Sequence, residues 1–156
     1  MEPRAASPGD RIWTIRRLAS AGIPVACMVA PIIPAINDRE APTILRRAAD
    51  AGARSAGYVL LRLPHGVEDL FFDWLERHYP DRRDRVASLL KQMRGGAIYD
   101  ATFGTRMKGE GPMAEQLHRM FHLFARRCGL DESLPPMSPT HFRRPADRMQ
   151  LDLFAG

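Results

Sequence analysis

Cysteine is scarce in this chain: Cys27 and Cys128 are the only two, far apart, with no CxxC or other close pairing. That excludes a cysteine-ligated metal cluster built from these residues and fits a reducing, cytoplasmic setting. Lysine is equally rare, with Lys91 and Lys108 against 21 arginines. The net charge of +5 permits a nucleic-acid or other anionic partner without requiring one. A GC-rich coding sequence accounts for the arginine bias at least as well. No apolar run approaches the roughly 18 residues that would span a bilayer. The opening MEPRAASPGD carries no apolar segment of a secretion signal, so the expectation is a cytoplasmic protein without membrane contact.

The 156 residues, 45% of them hydrophobic, are enough for one domain with a real core. In SPGDRIWTIRRLASA (7–21), Ser7 is a natural helix cap, Pro8 suits the first helical position and Gly22 can close the end. Ile12, Ile15 and Ala19 share one face of that helix. IPVACMVA (23–30) then reads as a short strand buried on both faces, because its apolar residues do not alternate with polar ones. Pro31 and Pro34, lacking amide donors, are expected to end it. A second helix starts between Asp38 and Pro42, with Ile44, Leu45, Ala48 and Ala49 inward and Gly52 at its end. SAGYVLLRL (55–63) is a second strand, closed by Pro64.

Helix alternating with strand is the signature of a parallel sheet, open or closed into a barrel. Two strands are too few for one, because both would be edges with exposed ladders. The chain is therefore expected to borrow strands or to belong to something longer. The later sequence is helical: Val67, Leu70, Phe71, Trp74 and Leu75 make one apolar stripe, and Val86, Leu89, Leu90 and Met93 a second. After the loop AIYDATFGTRMKGEG, a fifth helix runs from Pro112 to about Arg127, with Leu117, Met120, Phe121 and Phe124 inward. From Leu130 onward Pro135, Pro136, Pro139 and Pro145 point to an extended, flexible tail.

Ligands of parallel α/β folds meet the loops at the carboxyl ends of the strands. Here those loops are APIIPAIND (30–38) and RLPHG (62–66), with MEPR before the first helix as a third. Arg4, Asn37, Asp38 and Arg62 would then share one face, and the two arginines suit a carboxylate or phosphate. The simpler alternative is that Asp38 caps the second helix and Arg62 pairs with a neighbouring carboxylate. His118 and His122 have the i, i+4 spacing of two metal ligands, but no third ligand stands nearby. Gly104, Gly109 and Gly111 with Arg106 and Lys108 resemble an anion-binding loop, though their spacing matches neither known phosphate fingerprint.

Taken in order, EPRAASP, AGIPVACMVAPIIPAIND, AGARSAGYVLLRLP and FGTRMKGEG resemble the radical SAM enzymes, in particular the branch related to spore photoproduct lyase. The resemblance runs from Met1 to about Gly129. It implies a partial (β/α)6 TIM-type barrel that holds a 4Fe-4S cluster and S-adenosylmethionine at the strands' carboxyl ends. The family cleaves S-adenosylmethionine reductively to a 5′-deoxyadenosyl radical. On this comparison residues 1–66 are the last two βα units, with MEPR as the loop leaving strand four and the two strands as five and six. Residues 67–129 are a helical extension and 130–156 the tail. Arg4 resembles the basic residue that approaches the cofactor carboxylate. The loops containing Pro31, Asn37 and Asp38, and Arg62 and Pro64, would face its adenosine.

The departures define the expectation as much as the match does. The CxxxCxxC motif, which lies before strand four in the family, is absent, so this chain alone is expected to bind no cofactor and to be inactive without the missing amino-terminal half of the barrel. Ala35 stands where the family usually has glycine. A second resemblance is in the tail: Gln150, Leu151, Asp152, Leu153 and Phe154 spell QLDLF, similar to the motif that binds the bacterial DNA sliding clamp. It would offer Leu and Phe as anchors for an apolar pocket and Gln as a hydrogen-bonding group, linking the protein to DNA replication or repair. The rival to the enzyme reading is accordingly a non-catalytic module docked on that clamp.

Overall fold

The computed structural model describes residues 4–64, 66–136, 138–140 and 142–143. Their order is α1 (Pro8–Ser20), β1 (Ala26–Ile32), α2 (Ala41–Asp50), β2 (Ser55–Leu60), α3 (Val67–His78), α4 (Arg83–Gln92) and α5 (Gly111–Arg127). Single 3-10 turns at Asp38–Glu40 and Pro80–Arg82 lead into α2 and α4. The two strands are parallel neighbours, with Ala26 opposite Ser55 and Val29 opposite Tyr58. The described residues thus form an α/β fold of two parallel strands and five helices.

Local chemistry accounts for the helix ends. Ser7 Oγ accepts from the Asp10 N–H at 3.2 Å while Asp10 Oδ2 accepts from the Ser7 N–H at 3.2 Å, a reciprocal capping box with Pro8 at the first position. Gly52, at φ 97°, closes α2 where a Cβ would lie 2.7 Å from Ala19 Cβ. Glycine is needed there because the carboxyl ends of α1 and α2 touch.

Strand β1 does not stop before Pro31, as the missing amide donors suggested. It continues to Ile32, and its register slips between Val29 and Ile32. Pro31 falls at this irregularity, where its missing N–H breaks no ladder bond. The Leu61 N–H still donates to Ile32 O at 2.9 Å, after which β1 offers β2 no further partner. Hence β2 ends at Leu60 and not at Leu63.

One face of the pair is covered. Val29, Ile32, Tyr58 and Leu60 pack with Leu45 and Ala48 of α2 and with Leu117 and Phe121 of α5. A second cluster joins Ile33, Leu61 and Leu63 to Phe71 and Leu75 of α3 and Val86 and Leu90 of α4. The expected stripe of α3 is narrower than drawn, since Val67 and Leu70 are exposed. The opposite face of β1 is not buried, contrary to the reading of its continuous apolar run. Ala26 and Ala30 are exposed there, and Met28 is 63% exposed. No layer among the described residues lies over it. Helix α1 carries the same mark: Ile12, Ile15 and Ala19 are its most covered residues, yet none is fully buried.

The tail is also corrected at its start. Leu130 is 1% exposed, within the core that α2 and α5 share. Its carbonyl accepts from the Ala56 N–H at 3.0 Å, Asp131 bridges Ser55 in antiparallel sense, and the Glu132 N–H donates to Arg54 O at 3.3 Å. Further along, the Leu60 N–H donates to Met107 O at 2.8 Å. The outer edge of β2 is therefore sealed at both ends, and only the outer edge of β1 is left without a paired strand among the described residues.

Leu130→Ala should cost about 2–5 kcal/mol, the range for truncating a fully buried leucine. Leu123→Ala, on the exposed side of α5, should stay within about 0.5 kcal/mol. Urea unfolding of both variants checks this, and equal midpoints would contradict the strap's place in the core.

Candidate functional site

Both strands point their carboxyl ends at the loops of residues 33–37 and 61–64. Helices α1 and α2 meet at their carboxyl ends, so the segment before α1, which includes Arg4, belongs to the same end as these loops. Arg4 is exposed and makes no side-chain hydrogen bond or ion pair with the other candidates. Pro64 is exposed, and its carbonyl accepts from the Val67 N–H at 3.0 Å, starting α3. Pro31 follows a cis Ala30–Pro31 bond and is exposed. His65 and the tail motif from Gln150 to Phe154 lie outside the described residues.

Asn37 holds the first loop together. Its Oδ1 accepts from the Ile33 N–H at 2.7 Å and its Nδ2 donates to Pro31 O at 3.1 Å. Between these contacts Ala35 adopts φ 65°, the one left-handed non-glycine among the described residues. A side chain there costs about 1–2 kcal/mol. The turn is held by Ile36 and Asn37 amides on Ile33 O, and from outside by Arg82, whose Nη1 donates to Ala35 O at 3.1 Å. Alanine keeps this left-handed turn because its surroundings fix it.

Asp38 does not cap α2. No side-chain hydrogen bond caps the 3-10 turn or the helix. Asp38 instead borders a cavity of about 110 Å³ with Pro34, Leu89, Met93 and Gln116. Apart from Pro34 and Asp38, its lining comes from the α4 and α5 segments, not from β1 or β2, and it is far below the roughly 300 Å³ of a small-ligand pocket.

Arg62 pairs with no carboxylate among the described residues. Its Nη1 donates to Met107 Sδ at 3.8 Å, and its Nε is buried without an acceptor. Beside it lies Arg94, which the sequence reading passed over and which is 4% exposed. Arg94 donates from Nη2 to Leu61 O at 2.5 Å and from Nη1 to Arg106 O at 3.3 Å, and its Nε also lacks an acceptor. Burial lowers its pKa, opposed by Asp100 and reinforced by Arg62. The signal was there to be read: Arg94 lies four residues after Leu90, on the continuation of an inward stripe.

The loop from Asp100 to Gly109 walls this region. Asp100 Oδ1 accepts from the Thr102 N–H at 2.8 Å and its Oδ2 accepts from Thr105 Oγ1 at 2.7 Å. These bonds hold its carboxyl at a pKa of about 2. Gly109, at φ 77°, lets the loop close: a Cβ there would sit 2.8 Å from Met93 O. The loop serves as an edge cover for β2 through Met107 O.

The histidine pair on α5 lies with ring centroids 4.2 Å apart and the rings tilted by 59°, and His118 Nδ1 lies 3.4 Å from the Tyr58 hydroxyl. Burial, His118, Lys108 and Arg126 all lower the pKa of His122. No group of three or more His, Cys, Asp or Glu suited to a metal occurs among the described residues. A 4Fe-4S cluster does not fit this chain: the whole sequence has two cysteines, where the family's motif uses three. Cys27 sits in β1, where burial pushes its thiol up, and Cys128 ends α5.

Comparison with known families, with curated proteins and with solved structures finds no match to this chain. No helix among the described residues is long and apolar enough to cross a membrane.

Asn37→Ala strands the Ile33 N–H and should destabilise by about 1–3 kcal/mol, against a near-neutral Asp38→Ala, as read by urea unfolding. Asp100 gives a pH test. Its folded pKa of about 2 lies below the roughly 3.9 of an unfolded aspartate, so its stabilisation is full above that value and is lost as pH falls through 2. The stability gap between wild type and Asp100→Asn should be constant above about pH 5 and close on acidification.

Proposed function

We propose that this chain is the carboxyl-terminal part of a radical SAM-type (β/α) barrel, supplying its last two βα units, and that it is catalytically silent by itself. The observation that carries this reading is the open outer edge of β1 above a bare apolar face. A strand of Ala26, Cys27, Met28, Val29 and Ala30 is suited to burial on both sides, yet one side meets solvent. Because β2 is sealed, the sheet of the described residues would grow from β1. Helix α1 lies beside α2, as the crossover from a preceding parallel strand would, and right-handed crossovers set that strand next to β1.

In such a barrel the loops of residues 31–38 and 62–64 would rim the cofactor site. The Asn37-locked turn would serve as a rigid floor, its Ile33 amide and Pro31 carbonyl already engaged. The thiolates for the cluster would come from the rest of the barrel. Clamp docking through Gln150, Leu151, Asp152, Leu153 and Phe154 is compatible with this reading and would bring the assembled protein to DNA.

The test is anaerobic reconstitution of the purified chain with iron and sulfide. The expected result is no cluster absorbance and no 5′-deoxyadenosine from S-adenosylmethionine. Adding a separately produced barrel half that carries CxxxCxxC should then form a complex with both properties. A 4Fe-4S spectrum from the chain alone, or a barrel half that never binds, overturns the proposal.

A further inference from the structure

We infer that Arg62 and Arg94 form an oxyanion site at the carboxyl end of β2, taking a singly charged phosphoryl or carboxylate group of a ligand. The inference does not rest on the barrel reading, in which Arg62 would face adenosine. The two guanidiniums meet the same two segments: Arg94 reaches Leu61 O, next to Arg62, and Arg106 O, while Arg62 reaches the adjacent Met107. Neither is within ion-pair distance of a carboxylate among the described residues. Arg94 is held from behind by two backbone carbonyls, Leu61 O and Arg106 O, which fixes its plane. Arg62 is half-exposed and can be reached from solvent, with only a thioether, a weak acceptor, as its partner.

Each Nε–H is buried without an acceptor. A buried, unmatched charged donor is costly, and arginine's fixed fork is shaped for an oxyanion. Asp100, the carboxylate whose charge acts on Arg94, makes no ion pair with it and accepts instead from Thr102 and Thr105. Two cations and one carboxylate leave a local charge of one, which a phosphodiester or carboxylate neutralises and a dianion would overshoot. The bound group would sit on Arg62, with Arg94 contributing a fixed charge beneath it.

Arginine side-chain NMR tests this directly. The probes are dimethyl phosphate and acetate, titrated separately into ¹⁵N-labelled protein while the Nε–H resonances are followed. A saturable shift at Arg62 and Arg94, absent from the exposed Arg46, is the expected result, and the probe that saturates at lower concentration identifies the ligand class. Arg62→Lys keeps the charge and loses the fork, so it should weaken binding about tenfold, with an unchanged circular dichroism spectrum. If neither probe saturates, if Arg46 shifts in parallel, or if Arg62→Lys binds as tightly as wild type, the site is wrong.

Discussion

A parallel strand pair has two outer ladders and two faces to satisfy, and the described residues satisfy one of each. Parallel sheets persist because helices cover both faces and further strands take up the edges. Here α2 and α5 bury the Val29–Tyr58 side, and the Leu130–Glu132 segment with the Met107 loop occupies the ladder of β2. The other face and the other ladder belong to β1 and are bare among the described residues. The weakly buried α1, the exposed Met28 and the direction in which the sheet could extend all follow from that asymmetry.

Much of this was legible in the residues. Ser7-Pro8 fixed the start of α1, Gly52 the end of α2, and the helical stripes placed Phe71, Leu75, Val86, Leu90, Leu117 and Phe121 inward. The misses share a physical origin. An apolar run such as residues 23–30 reports what a strand is suited to, not whether a second layer is present to bury it. Proline forbids a donor but not a bulge, so β1 passed through Pro31. The proline-rich tail hid a core leucine at its first position, because composition averages over the residue that decides the contact.

The site was legible in its location more than in its parts. The strand-end rule pointed to the loops at 31–38 and 62–64, but roles within them were exchanged. Asn37 locks the turn, and Asp38, for which capping was the simpler alternative to a ligand contact, caps nothing. Arg62 was singled out for its type, while the inward stripe marked Arg94 for burial but not for a place against Leu61, 33 residues before it. Tertiary proximity of two like charges leaves no trace in spacing.

The seal on β2 also limits how this protein can meet itself. A closed two-fold dimer joined through β1 edges would pair those strands antiparallel, since the rotation reverses one of them. The parallel order that α1 and α2 enforce cannot be continued by a second copy without a head-to-tail contact, and the occupied ladder of β2 denies that copy a landing edge. The Leu130–Glu132 segment thus occupies part of the edge that a head-to-tail array of copies would need.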